Sequence, residues 1–162
     1  MTYPNLEQKV QILENAITVL RKLGVDKPAA AVLAAVERVN PKMPETLDAD
    51  ALKKMADTGR IKDCYVEGPI SYDIAMSREI AKIKQFQSLY CGDFDILLAP
   101  NIHAGNILGK SLLVSAGAKM AGIIAGAKIP IILTSRGSSA EEKYLSIALA
   151  SAVSAPRGIA DV

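Results

Sequence analysis

The sequence contains no tryptophan, one histidine and two cysteines, and aromatic residues make up only 4% of it. Each scarcity closes off a class of chemistry. With His103 alone, and with Cys64 and Cys91 far apart, neither a Cys/His zinc cluster nor a closely spaced redox pair can be assembled. Both thiols read as free, buried side chains in a reducing cytosol. So few rings leave little to stack on bases. A net charge of +2 is too small to argue for nucleic acid or an anionic membrane. The longest apolar stretch, residues 120–133, is interrupted by Gly122, Gly126, Lys128 and Pro130, so it is too broken to span a bilayer. The first residues, MTYPNLEQKV, lack the apolar segment of a signal peptide. The expectation is a soluble cytoplasmic protein with no nucleic-acid or membrane partner.

What is present is a chain of 162 residues, half of them hydrophobic, long enough for one domain with a substantial core. Asn5 caps a helix expected over residues 6–23, with Val10, Leu13, Ile17 and Leu20 at helical spacing and Gly24 as its stop. A strand follows at 29–36, then a loop with two prolines. Next come a helix at 49–58 capped by Asp48, a strand at 63–67 broken by Gly68 and Pro69, and a helix at 72–84 begun by Ser71. A buried strand is expected at 94–99, a helix at 106–114, and strands at 121–125 and 129–133. Strands alternating with helices predict an α/β fold with a mostly parallel sheet flanked by helices. The expected domain spans residues 1–154, with a loose tail at 155–162.

The most informative stretch is IPIILTSRGSSAEE, residues 129–142. An unbroken apolar run suits a strand covered on both faces. It ends on Thr134, Ser135, Arg136 and Gly137. A helix then opens at Ser138 and Ser139, with an apolar side through Tyr144, Leu145, Ile147, Ala148 and Leu149. Ligands bind at the carboxyl ends of strands in open α/β sheets, helix N-termini favour anions, and arginine matches phosphate or carboxylate as a fork. An anion site, phosphate above all, is one reading. The other is structural: Ser139 with Glu142, or Ser138 with Glu141, fits a capping box, and Arg136 is a surface charge.

Four polar loops, at 37–44, 67–73, 101–106 and 135–142, are expected to gather at one sheet edge. They hold no catalytic triad. His103 lacks a paired nucleophile and reads as a hydrogen-bonding loop residue. GNILGK at 105–110 has the wrong spacing for a Walker A loop. Asn101, Asn106 and Lys110 suit a phosphate or a carbonyl, and the two asparagines equally suit a helix cap. Asp73 reads as an acid favoured by a helix dipole. Glu67, Asp73, Glu141 and Glu142 are too scattered to predict a metal.

At these loops the chain resembles the phosphate acetyl/butyryl transferase family, its butyryltransferase branch most of all. The segments that carry the likeness are VERVNPKMPETLDA (36–49), VEGPISYDIAMS (66–77), DILLAPNIHAGNILGKSL (95–112) and GAKIPIILTSRGSSAEEKYLSIALA (126–150), with TYPNL near the start. The resemblance implies transfer of a short acyl group, butyryl before acetyl, between coenzyme A and phosphate. No bound cofactor is implied, since the CoA thioester and phosphate are the substrates. The implied fold is the second domain of an architecture like that of isocitrate and isopropylmalate dehydrogenases, usually dimeric. In this reading Arg136 anchors phosphate, Ser135 bonds the developing oxyanion or the thiol, and Glu142, or Glu141 beside it, accepts a proton. Asn101, Gly105 and Asn106 match a substrate-binding loop. The family's proteins are longer, and the counterpart of their N-terminal half is missing here. The last helix is therefore expected to leave apolar surface exposed or recruited to a dimer, and a separate N-terminal half is a possible partner. Two alternatives stand beside this: a non-catalytic CoA-binding or dimerisation module, and a metal-dependent dehydrogenase of the same fold.

Overall fold

Local sequence signals start the first helix, and a computed structural model describes the chain over residues 2–154. Helix α1 (Leu6–Lys22) opens on a capping box. The Asn5 side chain accepts from the Gln8 N–H at 2.9 Å, and Gln8 Oε1 accepts from the Asn5 N–H at 3.0 Å. Val10, Leu13 and Ile17 form its buried stripe, and Gly24 ends it at a φ of 98°. Strand β1 (Ala29–Leu33) is buried along its whole length. It stops short of the expected residue 36, because the chain leaves the sheet after the Ala34 N–H bonds the Ile70 carbonyl.

Helix α2 (Pro44–Asp57) begins earlier than the expected cap at Asp48. Pro44 takes the first helical turn, where a missing N–H costs nothing, and the Thr46 hydroxyl bonds the Met43 carbonyl at 2.7 Å. Asp48 instead pairs with buried Lys9 at 2.5 Å, tying α2 to α1. Strand β2 (Tyr65–Ile70) runs through Gly68 and Pro69 rather than breaking there. An edge strand tolerates proline, and glycine is needed because a Cβ on Gly68 would lie 2.9 Å from Val32 Cβ. The single helix expected at 72–84 is two, α3 (Tyr72–Met76) and α4 (Arg78–Ile83). Ser77 separates them in an extended conformation, and its hydroxyl caps the Ile80 N–H at 3.2 Å.

Strand β3 (Ile96–Leu98) completes a parallel sheet of order β2-β1-β3. Alternate residues of the strands face opposite layers. Ala30, Val32, Val66, Ile96 and Leu98 pack with Val10, Leu13 and Leu52 from α1 and α2. Ala31, Leu33 and Ile70 pack with Ile74, Ala75 and Ala81 from α3 and α4, and Leu108 joins them from the next helix. The result is α/β with a three-stranded parallel sheet between helical layers, as the alternation predicted.

Helix α5 (Ile102–Ala116) is longer than expected and contains no fully buried residue. The strands expected at 121–125 and 129–133 do not join the sheet. Only one antiparallel bridge, Ile124 to Ile131, forms there. Ile129 and Leu133 are 71% and 73% exposed, so the run is not a covered strand. An apolar run records a preference for burial and does not choose the partner. Helix α6 (Ala140–Ser154) buries Ser146, Ala150 and Val153, whereas Tyr144 and Ile147 on its expected apolar side are exposed. The tail at 155–162 lies outside the described residues.

Candidate functional site

Because β1, β2 and β3 are parallel, the loops after them share one edge of the sheet. The chain after β1 passes to α2 on one face, and the chain after β3 passes to α5 on the other. Strands whose exits part in this way leave a crevice between their carboxyl ends, the usual ligand position of open α/β sheets. A cavity of about 490 Å³ lies there. Leu33, Ala34 and Ala35 line it at the end of β1, Ala99 and Pro100 just after β3, and Ala104, Ile107, Leu108 and Ser111 from α5. Tyr72 and Glu45 complete its rim. Sequence reasoning named none of these apolar residues as site residues. They become neighbours only through the strand order, which short-range patterns do not contain.

Residues 101–106, expected as a loop, are the cap and first turns of α5 and lie beside this cavity. Asn101 Oδ1 accepts from the Ala104 N–H at 3.1 Å, so Asn101 caps α5. Gly105 lets α5 approach the end of β3, where an added Cβ would sit 3.3 Å from Ala99 Cβ. Asn106 and Lys110 are exposed, and no described residue pairs with the Lys110 ammonium. The ring of His103 is hydrogen bonded through Nε2 to the Tyr3 hydroxyl at 2.7 Å, from the first turn of α5 rather than from a loop.

At the same edge a polar network ties the loop after β1 to α3 and α4. The Ser71 hydroxyl donates to Glu37 at 2.5 Å, and the Lys84 ammonium lies 2.9 Å from Asp73 and 3.6 Å from Glu37. The Ser71 hydroxyl and then Lys84 hold the Asp73 carboxyl down at about 2. Asp73 in turn raises Lys84. The two thiols have no such activation. Burial pushes Cys64 up to about 11 and raises Cys91 as well, which keeps both protonated and unreactive at neutral pH.

The segment 135–142 is a separate group. The Ser139 hydroxyl accepts from the Glu142 N–H, and Glu142 Oε2 accepts from the Ser139 N–H, both at 3.2 Å. This is the reciprocal capping box read from the spacing. Glu141 pairs with Lys119 at 2.5 Å. Ser135 turns the chain, its hydroxyl accepting from the Gly137 N–H at 3.4 Å. Arg136 is exposed and makes no ion pair among the described residues.

The expected gathering of all four loops at one edge is therefore not what the fold gives. Ser139 and Glu142 pack near Leu113 and Met120, on the face of α5 opposite Ile107 and Ser111. From Gly105 to Leu113 the helix also rises by about 12 Å. Asn101, Gly105 and Asn106 lie along the start of α5, and Glu141 and Glu142 lie near its end; Asn106 and Leu113 share one face, so the two groups are parted along the helix, by about 10 Å from Asn106 to Leu113. Among the described residues no three His, Cys, Asp or Glu side chains cluster as a metal site, and no helix is long and apolar enough to cross a membrane.

Both groups fall within a match to known proteins. The family model described as Phosphate acetyl/butaryl transferase matches residues 1–151. The phosphate butyryltransferase of Clostridium acetobutylicum is 46% identical over 152 residues, 94% of this chain and 50% of that protein. The phosphate acetyltransferase of Thermotoga maritima is 49% identical over 146 residues, 90% of this chain and 50% of that protein. Among solved structures, the branched-chain phosphotransacylase of Enterococcus faecalis V583 superposes with a TM-score of 0.86 at 38% identity, covering 94% of this chain and 55% of that one. The chain spans about half the length of the curated relatives it matches. With the match continuous from the first helix through both candidate groups, the chain belongs to the phosphate acetyl/butyryl transferase family.

Proposed function

We propose that the chain supplies part of the site of a phosphate acyltransferase, in which acyl-CoA and phosphate give acyl phosphate and free CoA. The observation that carries the reading is the family match through residues 1–151, which includes every residue named for the site. In the reaction a phosphate oxygen attacks the thioester carbonyl. A C–O bond to phosphate forms, the C–S bond breaks, and CoA leaves as thiolate. Arg136, exposed and unpaired among the described residues, anchors the phosphate. Ser135 bonds the developing oxyanion or the thiol. In the reverse direction Glu142, in preference to Glu141, takes the CoA thiol proton. Only one Glu142 oxygen is engaged in the capping box. Asn101, Gly105 and Asn106 form a wall of the substrate cleft.

The acyl group is short, and butyryl is favoured on the motifs NPKMP and LTSR rather than on pocket shape. The architecture is that of the second domain of isocitrate and isopropylmalate dehydrogenases, the assembly is a dimer in the cytoplasm, and an N-terminal half completes the cleft. The distance along α5 between the two residue groups favours one other reading, a non-catalytic CoA-binding or dimerisation module. Thiol release from butyryl-CoA with phosphate separates them, measured with the chain alone and with a relative's N-terminal half added. Turnover that falls at least about a hundredfold in Arg136→Ala is expected. Turnover unchanged by that substitution, or absent in both mixtures, overturns the enzyme reading.

A further inference from the structure

We infer that the cavity between the end of α1 and the segment entering β2 binds a small ligand carrying two or more phosphate groups. Its volume is about 330 Å³, within the usual range for small-molecule sites, about 300–1,000 Å³. Four cations line it, Arg21 and Lys22 from α1 and Arg60 and Lys62 from the segment after α2, against two acids, Glu14 and Asp63. That local excess of two positive charges is as large as the net charge of the whole chain. The cavity is remote from both candidate residue groups. Lys22 and Asp63 lie just before the amino ends of β1 and β2, whereas the crevice lies at the carboxyl ends. The five residues of β1 put about 16 Å between the two edges.

The lining selects the ligand. No aromatic ring lines the cavity among the described residues, so nothing there stacks on a base. Arg21 is paired with Asp63, and Arg60 Nη2 lies 2.9 Å from Glu7. A single carboxylate would offer Arg21 no more than Asp63 already does. A phosphate group offers more: close to two charges and three acceptor oxygens, suited to arginine as a fork and to lysine as a point charge. Both existing pairs are well exposed and screened by solvent, so a multiply charged anion competes with them. Lys22 and Lys62 are exposed and make no ion pair among the described residues. They are the point charges that a second phosphate group meets.

The test is titration of the whole chain with inorganic pyrophosphate at fixed ionic strength, read by amide NMR, with acetate and chloride as comparison anions. Pyrophosphate should shift the amides of Thr18, Lys22 and Lys62 and saturate by millimolar concentration, and the other two anions should not. Amides at 135–142 report any binding at Arg136 separately. Lys62→Ala and Arg60→Ala should each weaken pyrophosphate about two- to fivefold. Asp63 has a φ of 57°, in the left-handed region that asparagine also adopts. Asp63→Asn therefore keeps the backbone, removes the competing carboxylate and should tighten pyrophosphate about two- to fivefold, a gain that a misfolded variant cannot produce. The inference is overturned by the absence of saturable binding at millimolar pyrophosphate, by equal shifts from chloride, by shifts confined to 135–142, or by an affinity in Asp63→Asn no tighter than the parent's. No CoA or acyl group enters the titration, so its outcome is independent of the acyltransferase reading.

Discussion

Residues 29–33 and residues 129–133 are both short, unbroken apolar runs, yet the first is wholly buried and the second is largely exposed. The difference lies in their neighbours. β1 has a parallel strand on each edge and a helical layer on each face. The later run has one antiparallel bridge and no covering layer among the described residues. The same contrast runs through the helices. α1 shows polar residues against a clear buried stripe, whereas α5 is apolar along much of its length and fully buries nothing. Hydrophobicity of a segment is a demand for cover, and only tertiary partners meet it.

The sharpest way to break this comparison is to delete the same side chain in both regions. Leu52 is fully buried in the first core cluster, and Leu52→Ala should cost about 2–5 kcal/mol by urea denaturation. Leu133 is 73% exposed, and Leu133→Ala should change stability by no more than about 0.5 kcal/mol. A loss at Leu133 comparable with that at Leu52 would show that residues 129–133 are covered in solution. A loss that grows with protein concentration would assign the cover to a second copy.

What could be read from the sequence divides along the same line. Signals within a few residues were readable: Asn5 as the first cap, the Ser139–Glu142 capping box, and the alternation that gives α/β. Features set by distant contacts were not. The passage of β2 through Gly68 depends on how close Val32 comes, whereas the early start of α2 was a local signal passed over, with Pro44 in the first turn and Thr46 reaching back to Met43. The break at Ser77 separates what periodicity joined. At the site, Asn101 was readable both as a cap and as a substrate contact, and the cap is present. The cavity beside it was invisible, because Leu33, Ala99 and Ile107 meet only through the order β2-β1-β3.

A milder substitution sharpens the contrast between the two helices that flank the candidate groups. Asn101→Ala and Ser139→Ala each remove one N-cap, worth about 1 kcal/mol in general. The consequences should differ in reach. α6 is anchored by Ser146, Ala150 and Val153, so loss of its cap should speed amide exchange in the first turn alone. α5 has no buried anchor, so loss of Asn101 should speed exchange over several turns. Equal, purely local effects would mean that α5 is held by more than its cap and its half-buried contacts.

The smallest effect belongs to the polar network on the better-covered side of the molecule. The Ser71 hydroxyl and Lys84 hold Asp73 at about 2, below its ordinary 3.8. A carboxyl whose folded value is depressed contributes stability that is present above 3.8 and is lost as pH falls from there towards 2. The side chains are 43% and 44% exposed, so solvent screens the pair and the contribution is modest. Urea midpoints measured from pH 7 to pH 2 should therefore fall less steeply below pH 4 in Asp73→Asn than in the parent chain. Parallel curves would mean that the Ser71 and Lys84 contacts do not persist in solution. The loop after β1, which carries Glu37 into the same network, would then be as loosely held as the uncovered residues 129–133.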